Sequence, residues 1–187
     1  MTRSMVAALV VLVLAGCSSA AEEAGPNMSS GPSPYVAVLA PPVADPRDVR
    51  GIAACDLLTA EQKQGFGIDV ATENQDRPDD FGGCAWRTLD MEGVLGVVGV
   101  QDPPVGLDGL YNVREAYPVF EPGEIDGRPI VRADFVDTAG RDCRIFIGVA
   151  DDQMIQASAK YAFQPGRGCE VAREMAAAMI ANLPLPG

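Results

Sequence analysis

Residues 143–163 read Cys-Arg-Ile-Phe-Ile-Gly-Val-Ala-Asp-Asp-Gln-Met-Ile-Gln-Ala-Ser-Ala-Lys-Tyr-Ala-Phe. Cys143, Ile145, Ile147 and Val149 fall at every second position. After Asp151-Asp152, so do Ile155, Ala157, Ala159, Tyr161 and Phe163. Side chains alternate between the faces of a strand, so each set lies on one face. The two aspartates mark a turn, and strands joined by so short a turn pair antiparallel. This segment therefore predicts two antiparallel strands joined by a tight turn.

The same logic extends outward. Ile130–Val136 alternates as a strand behind the Asp126-Gly127 turn signal. Cys84–Leu89 reads as a strand, Asp90–Gly93 as a turn, and Val94–Val100 as a central strand that is apolar on both faces. Pro103-Pro104 stops it. Helices fill the gaps. Thr59 and Gln62 form a capping box before a short helix that ends at Gly65 and Gly67. Leu107–Tyr117 has helical spacing. In Cys169–Leu183 the residues Val171, Met175, Met179 and Leu183 recur every four positions before Pro184. The expected class is α+β: an antiparallel sheet with helices packed on one face and two disulfides.

The chain has 187 residues, 14 of them basic and 26 acidic, for a net charge of −12. That balance speaks against a nucleic-acid partner, because phosphate backbones call for clustered Lys and Arg. There is no histidine. Ser-His-Asp and Cys-His catalysis and His-ligated metals are excluded with it.

The N-terminus reads as a processing signal. Arg3 precedes an apolar run, Val6–Ala15, that at 1.5 Å per residue spans only ~15 Å, half a bilayer core. It ends Leu14-Ala15-Gly16-Cys17, which matches the lipobox of bacterial lipoproteins. That resemblance implies a signal peptide over 1–16, cleavage before Cys17, and acylation of Cys17 by diacylglyceryl and palmitate-type chains. Two or more acyl chains would anchor the protein stably, where one would not. Residues 17–45 follow as a lipidated tether rich in Ser, Ala, Gly and Pro, and 46–187 as one α+β domain. Tyr35–Leu39 is an apolar island within the tether.

Four cysteines remain, and an even number in an exported chain implies two disulfides. Of three connectivities, Cys55–Cys84 and Cys143–Cys169 close nearby segments without crossing. No pair has the two-to-four residue spacing of a zinc site. No metal or other cofactor is expected.

Cys55-Asp56-Leu57-Leu58-Thr59 before a short helix, Cys84-Ala85-Trp86, a strand cysteine, and Cys169 opening a helix that ends Leu183-Pro184 together resemble an actinobacterial lipoprotein family. Its domain has no assigned function. The resemblance spans about residues 50–185. It implies an envelope location in a high-GC Gram-positive cell, and it carries no catalytic residues over to this chain.

Candidate chemistry is sparse. Asp79-Asp80 and Asp151-Asp152 are paired carboxylates, but both sit in turns. Trp86, two residues after Cys84, suits packing on a disulfide, with a ligand platform as the alternative. Strand alternation places Arg87, Arg132, Arg144 and Lys160 together on the outer face of the sheet, a candidate surface for an anionic partner. The functional expectation is a non-enzymatic, membrane-anchored binding or accessory module with an envelope protein or polymer as partner. The alternative is a carrier of a small or lipidic ligand in an apolar pocket. Cavity size and lining separate the two.

Overall fold

The computed structural model describes residues 40–74, 82–100 and 104–184. Residues 1–16, read as a signal peptide, Cys17, the Tyr35–Leu39 island, and Asp79-Asp80 lie outside the described residues. Seven antiparallel strands form one sheet in the order β1-β2-β3-β7-β6-β5-β4. They are β1 (Ile68–Asn74), β2 (Gly83–Thr88), β3 (Gly93–Val98), β4 (Val119–Ile125), β5 (Arg128–Asp134), β6 (Asp142–Ala150) and β7 (Gln153–Tyr161). The predicted hairpin is β6–β7, and its turn is Asp151-Asp152. Asp151 Oδ1 accepts from the Val43 N–H at 3.4 Å, which gives that carboxylate a structural use.

The α+β class with two disulfides holds. Helix α3 (Arg167–Ala181) packs on β6 and β7. It buries Val171, Ala172, Met175, Ala176 and Met179 against Leu95, Ile145, Ile155 and Ala157. Helix α1 (Ala60–Gly65) begins with the expected capping box: Thr59 Oγ1 accepts from the Gln62 N–H, and Gln62 Oε1 from the Thr59 N–H. Gln62 and Asn182 bond to each other, tying α1 to the end of α3. The bridges are Cys55–Cys84 and Cys143–Cys169.

Several expectations need correction. Helix α2 is shorter than its spacing suggested, Leu107–Asn112 with a separate 3-10 turn at Arg114–Ala116. It also lies on the face opposite α3, where Leu107, Leu110 and Tyr111 pack on Val131, Ala133 and Phe146. Gly106 sets its start. A Cβ there would sit 1.9 Å from the Asp151 carbonyl oxygen, so only glycine lets α2 close onto the β6–β7 turn. Strand β1 was not expected from the sequence. It is a half-exposed edge strand with a register shift and no clean apolar alternation. Phe163 lies beyond the end of β7 and is 92% exposed rather than in line with Tyr161.

The last residues assigned to the tether lie on the domain. The Ala40 N–H donates to Asp108 Oδ1 at 2.5 Å, and the Arg47 N–H to the Val149 carbonyl at 2.7 Å. Asp45 pairs with both Arg47 and Arg128. Packed chain therefore extends at least six residues ahead of the expected boundary at 46. Prolines 41 and 42 prevent a regular element there, but they do not prevent an irregular chain from docking.

Candidate functional site

The sheet has two unlike faces. On the α3 face, Cys84, Val97, Ala157 and Ile145 lie in one cross-strand row, all buried. On the other face three rows can be read from the register. Gly83, Val98, Gln156 and Phe146 form the first, and Ala85, Gly96, Ser158 and Arg144 the second. Asp69, Arg87, Val94, Lys160 and Asp142 form the third.

Helix α2 has too few residues to cover this second face. It shields β5 and β6 and leaves β2, β3 and β7 open. Because Gly83, Ala85, Gly96 and Ser158 are small, the uncovered area is a trough. It is a groove of about 820 Å³, within the range of small-ligand sites. Val105, Gly109, Leu110 and Val113 form its α2 wall, and Phe146 and Met154 line its inner part. Val94, Val113, Phe135 and Val136 are large, apolar and exposed at its margin. Isolated exposed apolar side chains are ordinary; here they are gathered around one concavity.

One end of the groove gathers charged side chains, Arg144 and Lys160 with Asp134 and Asp142. The Arg144 guanidinium lies 4.6 Å from the centre of the Phe135 ring, and Tyr117 stacks on the other side of that ring at 4.7 Å. The Arg144 N–H donates to Asp134 Oδ1 at 2.9 Å. Lys160 Nζ stands 4.0 Å from Asp142, and Arg87 makes no ion pair among the described residues.

Of the four basic residues expected on one face, Arg87, Arg144 and Lys160 do share it. Arg132 does not. It pairs with Ile145 and with Glu121, on the α3 side of the sheet. Strand alternation around Arg132 is as expected. However, β5 is covered on both faces, so Val131 and Ala133 bury toward α2 while Ile145 buries toward α3. "Inward" therefore means opposite directions on neighbouring strands. Arg132 Nε donates to Asp134 at 2.9 Å and its Nη1 to Glu121 at 3.1 Å. Burial alone would lower its pKa, but the bond to Asp134 and the charge of Glu121 outweigh burial and raise it. Arg132 is committed to the fold.

Trp86 belongs to the core, not to a ligand platform. It is 1% exposed, its Nε1–H donates to Glu73 at 2.9 Å, and Lys63 lies over its ring. Glu73 also approaches the Cys55 and Cys84 sulfurs. Those sulfurs are bridged, and a metal would need thiolates. The groove wall itself was not anticipated: Val105, Gly109 and Val113 recur every four residues on the α2 side turned toward β3 and β7. The one available signal was the run of small residues at 83, 85 and 96 in strands otherwise rich in large side chains.

Residues 12–182 match the model of a family described as a protein of unknown function, DUF3558. The chain belongs to this family. No curated protein and no solved structure matches it. Among the described residues no helix is long and apolar enough to cross a membrane.

Proposed function

We propose that this chain is an extracytoplasmic, membrane-tethered binding module of the actinobacterial envelope, acylated at Cys17, and that the groove between α2 and strands β2, β3 and β7 is its binding site. The groove carries this reading: its lining is mainly apolar, and its margin exposes four large apolar side chains. Two disulfides fit an oxidising compartment outside the cytoplasm. The role is binding rather than catalysis. The carboxylates at the groove, Asp134 and Asp142, are engaged by Arg132, Arg144 and Lys160, and the chain has no histidine to act as a base.

Titration with an uncharged solvatochromic dye tests this. The intact chain should show one saturable site. Ala85→Phe, which places a ring over the groove floor, should remove it. A site that survives Ala85→Phe would contradict the reading. The anchor is tested separately, since Cys17→Ala should move the protein from the membrane fraction to the soluble fraction.

A second surface suits an envelope protein partner. Leu89 and Met91 on the β2–β3 turn and Phe163 after β7 are all exposed, and Gln164 bonds to Glu92 to hold the two loops together. Met91 has φ 63°, a left-handed conformation that turn chemistry would give to Gly or Asn. An exposed apolar side chain placed there serves neither turn nor core.

A further inference from the structure

The groove has a direction. Along β7 its lining runs from Met154 through Gln156 and Ser158 to Lys160. Six residues at ~3.3 Å each span roughly 20 Å. At the Met154 end the neighbours are Phe146, Val98 and Leu110. At the Lys160 end the same face carries Arg87 and Arg144. The site is therefore a long apolar trough that ends at a cluster of basic and acidic side chains.

The charge at that end is unusual for this protein. Arg87, Lys160 and Arg144 stand with three carboxylates, Asp69, Asp142 and Asp134, and Asp134 is shared with Arg132. Arg132 in turn has Glu121. Asp69, opposite Arg87, balances the third cation, so the end is neutral in a chain whose net charge is −12, and an anion meets less repulsion there than over the acidic surface. Lys160 is well exposed, and Arg144 is held in place by its stack on Phe135. Cations at a pocket rim select anions by charge complementarity, and the surrounding acidic surface repels anions elsewhere.

We infer that the groove takes an anionic amphiphile with a single extended apolar chain, lying along β7 and β3 with its acidic head at Arg144, Lys160 and Arg87. This rests on the groove being the binding site. The head is a carboxylate or a phosphate monoester. Both accept hydrogen bonds from guanidinium and ammonium groups, and the test separates them.

The test uses the mature chain carrying Cys17→Ser, which has no acyl groups of its own. Calorimetric titration, below micelle-forming concentrations, compares dodecanoate, dodecyl phosphate, dodecyl maltoside and dodecyltrimethylammonium, with inorganic phosphate as the head alone. At least one of the two anions should bind one-to-one, at least about tenfold more tightly than the neutral and cationic chains. Which anion binds more tightly identifies the head. Lys160→Ala, at a well-exposed position that leaves folding intact, should weaken the anion several-fold and leave the maltoside unchanged. Ala85→Phe should weaken every chain.

Equal binding of all four head groups, lost in Ala85→Phe, would overturn the anionic class while keeping the groove. Binding unaffected by Ala85→Phe, or no binding of any chain, would overturn the groove as well. Binding of inorganic phosphate as tight as that of dodecyl phosphate would show that the apolar trough plays no part, and would also overturn the inference.

Discussion

Ser158 stands directly opposite Gly96 in the β3–β7 ladder, and its Oγ–H donates to the Gly96 carbonyl at 3.2 Å. This pair forms part of the groove floor. A Cβ on residue 96 would lie 2.8 Å from Ser158 Oγ, so the hydroxyl would have to turn away. Gly96→Leu should therefore fill the groove and weaken dye binding by at least about tenfold, at a cost of roughly 1 kcal/mol in stability. Adding Ser158→Ala should recover the stability but not the binding. Urea unfolding and dye titration on the same samples check both halves.

Asp134 is the most consequential carboxylate in the structure. It is buried, accepts from Arg132 Nε and from the Arg144 N–H, and continues the β5–β6 contact where the ladder ends. Asp134→Ala would leave two guanidinium groups without their shared partner. The expected loss is roughly 2–4 kcal/mol, below the fully buried figure because Arg132 and Arg144 keep some contact with water. Chemical denaturation gives the value. A change below about 0.5 kcal/mol would place Asp134 among ordinary surface positions.

The disulfides close segments separated by 29 and 26 residues. Each should contribute ~3–4 kcal/mol through the unfolded chain. Cys55→Ala with Cys84→Ala, and separately Cys143→Ala with Cys169→Ala, should each lower stability by about that amount. Non-reducing peptide mapping of the unaltered protein should recover the same two pairs.

Asp90 supplies a pH test. The Thr88 hydroxyl and then the Glu92 N–H bond to its carboxylate and hold its pKa below the usual value. A group depressed in the folded state stabilises fully above its unfolded pKa, near ~3.9, and loses that contribution as pH falls through its lower folded value. Asp90→Asn should therefore lower the melting temperature at pH 6 and make less difference below pH ~3. A difference that stays constant across that range would contradict the assignment.

Legibility in the sequence followed burial. The β6–β7 hairpin, the Thr59 cap, the Asp126-Gly127 turn and the α3 stripe could be read because each has one buried face or one demanding backbone position. Strand β1 could not. Its edge position leaves Asp69, Val70, Thr72 and Glu73 with no repeating contrast between core and water. Arg132 was misplaced for the opposite reason. On β5 both faces are buried, so alternation gives two answers and only the register with Ile145 chooses between them. The groove was hidden because it arises from what α2 fails to cover. Small residues at 83, 85 and 96 hint at a hollow, but they do not say that a helix stops short of it.

The most direct measurement is hydrogen exchange on residues 17–187 carrying Cys17→Ser, with and without a saturating groove ligand such as dodecyl phosphate. Protection should concentrate in residues 105–113, 94–98 and 156–160, while α3 over 167–181 exchanges as before. Trp86, on the far face, should keep its emission unchanged. Protection centred on α3, or ligand bound at saturation without slowing exchange in 105–113, would contradict the account.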